Sequence, residues 1–305
     1  MITIGGRAHN IEEIIAVSKY GYPTLEISLD DPAIVSGWIP QLLEIKNTYG
    51  TSFLAHYPNE DNPVDVKILR DKFLPRIKAL MEISRRLDIN KATIHFWLDK
   101  RRAPEDLILG KIELLSRIVD YGADFGITVC IENLTERSDS FAPVFEVISG
   151  LRMTLDIGHA QLLARQNTSF GFIEDCFPKI AHMHVHDNNG GTSVKDDLHL
   201  ALGEGSVDYK AIIKALVIKG YDSTITMEVK PKDIAKTNAG RLHPQSTELR
   251  RNLTTCFFKS PNSHDLSEYS FPFQYRKYCC VLHYFYYEFL YKPDNCQNRC
   301  NGYAG

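Results

Sequence analysis

The feature that most constrains this chain is an alternation of apolar strand-like runs with helical patterns, repeated eight times over roughly 230 residues. The strand candidates are Ile2–Ile4, Thr24–Leu29, residues 52–58, Lys91–Leu98, residues 127–134, residues 151–160, a run opening at Ile180, and residues 225–230. The first is expected to end at Gly5-Gly6. Between them lie helical segments: Asn10 capping a run with Glu12 and Glu13 in its first turn, then Trp38–Tyr49, Asp65–Leu87, and a segment opening at Pro104. Shorter ones follow near residues 142–148, 170–176 and 209–219. Most of the strands are apolar throughout, as in a parallel sheet covered on both faces. Pattern and length together predict a (β/α)8 barrel. A doubly wound open sheet is the competing architecture, but no GxGxxG follows the first strand to support nucleotide binding there.

Polar side chains collect where these strands end. His56, His95, Glu132, Asp156, His184 and Glu228 each fall near the C-terminal end of a different strand, and in a barrel those ends form one rim. The seventh strand, IAHMHVHD, is the densest case. His182, His184 and His186 alternate, so a strand puts all three imidazoles on one face. A buried row of imidazoles is costly unless each finds a hydrogen bond or a metal. Asp197 and His199 follow two residues apart, ahead of Leu-Gly-Glu-Gly at 202–205.

Charge and composition narrow the function classes. A net charge of −3 provides no broad basic field for nucleic acid. No run approaches the ~18 apolar residues of a membrane span, and the N-terminus lacks a signal-peptide pattern, so a cytoplasmic protein is expected. Cys130 lies in an apolar strand and reads as a small buried hydrophobe.

The character changes after about Lys236. The eighth helix should begin near Lys232, yet Asn238 and Gly240 intervene at once, so this helix is expected to be degraded. Residues 1–236 are thus read as the barrel, and residues 237–305 as an irregular tail rich in cysteine and aromatic residues. Five of the seven cysteines crowd into that tail, at 256, 279, 280, 296 and 300, but their spacing fits no common zinc module. The tail reads as disordered or foreign to the barrel, and no chemistry is assigned to it.

Glu132, Asp156, His184 and Glu228 make a first shell suited to a divalent ion, Mn²⁺, Mg²⁺, Co²⁺ or Zn²⁺. Such a site has two uses. In one, two oxygens of a sugar chelate the metal, and Glu132 and Glu228 remove and return a proton next to the carbonyl. In the other, His56, His95, His159, Asp197 and His199 recruit further zinc, and the cluster activates hydroxide against a phosphodiester. In a one-metal enzyme these residues, with His186, would contact substrate instead.

The segments IENL, LDIGHA, HMHVHDN, DDLHLALGEGSVDY and ITMEVK resemble the xylose-isomerase-like TIM-barrel superfamily. The resemblance covers about residues 1–236. That superfamily includes sugar phosphate isomerases and epimerases and apurinic/apyrimidinic endonucleases of the endonuclease IV type. The epimerase pattern implies one metal on Glu132, Asp156, His184 and Glu228, proton transfer by the two glutamates, and His159 at the substrate. The partner would be a small sugar or sugar phosphate. The endonuclease pattern implies about three zinc ions and a DNA substrate. One ion would sit on His56, His95 and Glu132, and a second on Glu132, Asp156, His184 and Glu228. His159, Asp197 and His199 would hold the third. All nine positions are occupied, but the stretch after His56, YPNEDNPVD, is acidic and has Asn59 where the endonuclease pattern has an aromatic. The sequence favours the isomerase or epimerase. A non-catalytic binding barrel is the third class, although scaffolding alone does not need these carboxylates.

Overall fold

Eight parallel strands pair in chain order, and the last returns to the first to close the sheet. The structure, a computed structural model, describes residues 2–238. The strands are β1 (Thr3–Ala8), β2 (Thr24–Ser28), β3 (Ser52–His56), β4 (Lys91–His95), β5 (Thr128–Glu132), β6 (Arg152–Asp156), β7 (Ile180–Val185) and β8 (Thr224–Met227). Helices α1 (Ile11–Ser18), α2 (Pro32–Tyr49), α3 (Val66–Ile68), α4 (Leu74–Arg86), α5 (Glu105–Asp124), α6 (Ser138–Val147), α7 (Ser169–Asp175) and α8 (Tyr209–Ile218) occupy the crossovers. The expected (β/α)8 barrel is therefore the observed one.

Local signals explain most element starts. The Asn10 side chain accepts the Glu13 amide at 2.9 Å, and Asp65 accepts the Lys67 amide at 2.9 Å. The long helix expected over Asp65–Leu87 is interrupted by a π-turn at Leu69–Phe73 between α3 and α4. That turn lies directly before Pro75, which has no amide to continue regular i→i−4 bonding.

One expectation changes. The first strand does not stop at Ile4 but continues through Gly5 and Gly6 to Ala8. The glycines are needed within the strand: a Cβ at Gly5 would collide with the Thr24 carbonyl, and one at Gly6 with the Val17 side chain. The continuation puts Arg7 into the barrel, in register with Glu26 of β2. In the eighth crossover the described residues hold only a short helix, α9 (Pro231–Asn238), in keeping with a degraded eighth helix; it packs against β1 and α1 with Ile234 buried. The expectations for the remaining tail lie outside the described residues.

The core is a cylinder between sheet and helices. Ile14 and Val17 of α1, Leu114, Leu115 and Ile118 of α5, and Ile212 and Leu216 of α8 are all buried, each contributing ~1.5–3 kcal/mol by leaving water. Inside the barrel, polar layers are paired. Thr93 and Thr154 share a 2.9 Å hydrogen bond, and Lys91 donates to the Ala181 carbonyl and to Ser223 and Thr224 near the strand starts. Cys130 is buried, as expected. Among the described residues, no helix is long and apolar enough to cross a membrane.

Candidate metal centre

Strand register brings the rim residues together. His95 lies opposite Glu132, and Asp156 opposite His184. Since inward-facing residues occur every second position, these side chains share one layer of the barrel interior. Donor atoms of Glu132, Asp156, His184 and Glu228 all lie within 4.8 Å of one another, and all four residues are buried.

The hydrogen bonds show what this layer lacks. His184 directs Nε2 to Glu26, at 3.0 and 2.9 Å from its two oxygens. With a proton on Nε2, its Nδ1 is a bare lone pair. That lone pair faces Glu228 Oε2 at 2.9 Å, Glu132 Oε1 at 3.2 Å and Asp156 Oδ2 at 3.7 Å. Glu228 Oε2 is buried without hydrogen-bond geometry to any partner, despite that 2.9 Å approach. Four acceptors therefore surround one point.

The same arrangement occurs twice more. His56 donates Nδ1–H to the Tyr57 carbonyl at 3.0 Å, so its Nε2 faces Glu132 Oε2 at 3.3 Å as acceptor against acceptor. His95 Nε2 approaches the same oxygen at 2.9 Å. His159 donates Nδ1–H to the Asn133 carbonyl at 3.1 Å, and His199 donates Nδ1–H to the Glu228 carbonyl at 2.8 Å. Both then turn Nε2 to Asp197 Oδ2, at 3.1 and 3.0 Å. An imidazole whose far nitrogen is fixed by a carbonyl or carboxylate is the usual outer shell of a metal-bound histidine. Opposed acceptors need a proton or a cation between them, so the residues present fit a divalent ion.

Within the protein alone, protons fill these gaps. Burial by itself would lower His184, but Glu228, Glu26 and Glu132 raise its pKa well above the ordinary value. His159 is likewise driven up by Asp156, Asp197 and Glu132 against burial. Burial opposes ionisation of Glu132 and Glu228, yet the imidazolium of His184 holds both well below the usual carboxylate range, helped by His95 at Glu132. Burial and the nearby Arg7 push His56 down to about 4.

A family profile described as "xylose isomerase-like TIM barrel" matches residues 14–251. The chain belongs to this family. Fructoselysine 3-epimerase of Escherichia coli O157:H7 is 22% identical over 257 residues, covering 75% of this chain and 89% of the epimerase. A D-tagatose 3-epimerase-like protein of known structure superposes with a TM-score of 0.63 at 24% identity, covering 77% of this chain and 96% of that one. A zinc-soaked protein of Thermus thermophilus gives a TM-score of 0.63 at 20% identity, over 79% and 99% of the two chains.

This xylose isomerase-like barrel carries its third donor group on the loop after β7. Asp187 exchanges both backbone hydrogen bonds with Leu200, and its carboxylate accepts the Gly203 and Val207 amides. The loop is thereby folded back so that Asp197 and His199 meet His159. His199 has φ 48°, an uncommon left-handed backbone for a non-glycine residue, held by its bond to the Glu228 carbonyl. The sequence reading gives His186 a substrate contact. Instead it is buried, with Nε2 3.1 Å from Asp156 Oδ1 and its ring stacked on His199 at 4.1 Å. Gly158 makes the space, because a Cβ there would overlap the His186 ring.

Two residues of the centre escaped the sequence reading. Glu26 is buried and bonds both His184 and His182, and Arg7 bonds Glu228 through Nε at 3.3 Å. A lone glutamate within the apolar TLEISL was the available signal for Glu26. His182 lies one layer deeper than His184, its ring nitrogens engaged by Glu26 at 2.8 Å and Thr224 Oγ1 at 2.6 Å. Over the centre opens a cleft of about 700 Å³, lined by Arg7, His56, His95, His159, Asp197, His199 and Glu228 among others. Glu132 is absent from that lining, so the two glutamates are unequally placed.

Proposed function

We propose that this barrel is a metal-dependent isomerase or epimerase of a small sugar or sugar phosphate, acting by proton transfer next to a carbonyl. The observation that carries this reading is the convergence of Glu132, Asp156, His184 Nδ1 and Glu228 around one point with no donor among them. Family membership and the likeness to two proteins named as 3-epimerase or 3-epimerase-like support it.

A divalent ion held by these four residues would polarise the substrate carbonyl and acidify the neighbouring C–H. Glu228 lines the cleft and so would take the proton. Glu228 would be held by the bound cation as the carboxylate needed for that role. Glu132, engaged by His95 and His184 on the other side of the centre, would return a proton relayed to it through His95, which lines the cleft. Buried side chains around both glutamates limit exchange with bulk water.

A second reading rests on a specific observation: nine donors, His56, His95, Glu132, Asp156, His159, His184, Asp197, His199 and Glu228, form three adjacent groups. Three zinc ions there would suit phosphodiester cleavage, as in an apurinic/apyrimidinic endonuclease. Elemental analysis of the purified full chain separates the two, alongside solvent-deuterium exchange into a panel of ketoses and their phosphates. About one ion per chain with deuterium incorporation is expected. About three zinc ions, with cleavage of abasic-site DNA and no exchange, would replace the first reading by the second.

A further inference from the structure

Arg7 is a charged side chain with more donors than partners. It is 3% exposed, yet it lines the cleft next to Glu228 and Ser28. A guanidinium carries five N–H donors in a rigid fork. Among the described residues its one hydrogen bond runs from Nε to Glu228 Oε1 at 3.3 Å, and Nη1 is buried with no partner. Were Arg7 simply the counter-ion of Glu228, the fork would be expected to meet the carboxylate through two bonds of ~2.7–2.9 Å. The single long contact leaves the terminal face of the fork unspent. A buried donor in that state is costly unless something arrives to accept from it.

The surroundings suit an incoming anion. Lys230 lines the same cleft and is exposed, and Ser28 adds a hydroxyl that also meets His9 Nδ1 at 3.0 Å. Glu13 and Asp30 also line it, and the Glu13 carboxylate accepts the His9 amide at 2.9 Å. The cleft thus offers imidazoles and carboxylates for chelated oxygens together with an arginine, a lysine and a hydroxyl.

We propose that Arg7, assisted by Lys230 and Ser28, anchors an oxyanion on the substrate, a phosphate or a carboxylate. The inference deepens the isomerase reading by naming its substrate class: a ketose or aldose carrying a negative charge. A planar fork favours such a group over a neutral hydroxyl, because two N–H donors match two oxygens of one anion.

The test is calorimetric titration of the metal-loaded full chain with inorganic phosphate, D-gluconate and D-fructose, with metal content checked for every variant. Wild type is expected to bind at least one of the anions at least tenfold more tightly than fructose. Tighter binding of phosphate points to a phosphate ester, and tighter binding of gluconate to a sugar acid. Arg7→Met should weaken the preferred anion at least tenfold, and Arg7→Lys should recover part of the loss. Lys230→Ala, a surface change that leaves the core intact, should weaken it about two- to fivefold, and so reports on the subsite even if Arg7→Met fails to fold. Anion binding unchanged by both Arg7→Met and Lys230→Ala, or no anion preference in wild type, overturns the anchor. If anion binding depends on Arg7 but no charged sugar exchanges deuterium, the anchor stands and the isomerase reading falls.

Discussion

Nε2 of His184 sits between the two oxygens of Glu26, 3.0 and 2.9 Å away, although the residues are 158 positions apart. This contact decides which nitrogen of His184 faces the centre. Glu26 accepts from His182 as well, at 2.8 Å, and the two imidazoles hold it well below the usual carboxylate range despite complete burial.

Glu26→Gln should therefore weaken metal binding ~10–100-fold, the usual cost of losing such a partner. An amide has one oxygen for two N–H donors, and its own N–H₂ would oppose the other. Competition against a chromophoric chelator measures the change, and wild-type affinity in the variant would remove Glu26 from the centre.

His184→Ala should lose metal and activity together. His182→Ala should retain metal and lower stability by ~1–3 kcal/mol, since Glu26 and Thr224 lose a buried partner. Metal content and thermal denaturation of the two variants are the measurements. The opposite pattern would mean that the deeper layer, not the rim, holds the ion.

Glu228→Gln should keep most of the metal, because the amide still offers an oxygen, while proton exchange at the substrate carbon falls ~10²–10⁴-fold. Solvent-deuterium incorporation followed by NMR reads this directly. Exchange at the wild-type rate would transfer the base role elsewhere.

The stability of the metal-free chain should depend on pH through His199. Burial would lower its pKa, but Asp197 and Glu228 raise it to about 9 from the ordinary 6.5. The folded state thus binds the proton more tightly than the unfolded one. The stabilisation is complete below about pH 6.5 and is lost as pH rises through about 9. With partial exposure of the ring, ~1–3 kcal/mol is expected. A chain holding one ion on Glu132, Asp156, His184 and Glu228 leaves that proton in place, so loaded and chelator-treated protein should share this pH slope. A slope abolished by loading would mean that His199 binds an ion, as in the three-zinc reading.

Gly158→Ala should crowd the His186 ring, which fills the space a Cβ would need. Overpacking of this kind costs ~1–3 kcal/mol, a fall of several degrees in Tm. Displacement of His186 from Asp156 should weaken metal binding as well. An unaltered Tm would show that the His186 ring has room to move.

The barrel was legible because local periodicities report it: alternating apolar strands, caps such as Asn10 and Asp65, and strand-end polar residues each act within a few neighbours along the chain. His182, His184 and His186 were fixed to one face by the two-residue period of a strand alone. Seven of the nine candidate positions fall at or just beyond a recognisable strand end, whereas Asp197 and His199 lie farther out on the loop after β7.

Tertiary structure decided the rest. Gly5-Gly6 reads as a stop in one dimension, but next to Thr24 and Val17 it is what lets β1 continue and carry Arg7 inward. Glu26 is an isolated charge in an apolar run until closure brings His182 and His184 against it. His186 belongs to the same alternating row as His184, yet Gly158 and His199 bury it rather than leave it at the mouth. Periodicity sets the face on which a side chain emerges. What meets it there depends on strands distant in sequence, and only the closed barrel fixes those neighbours.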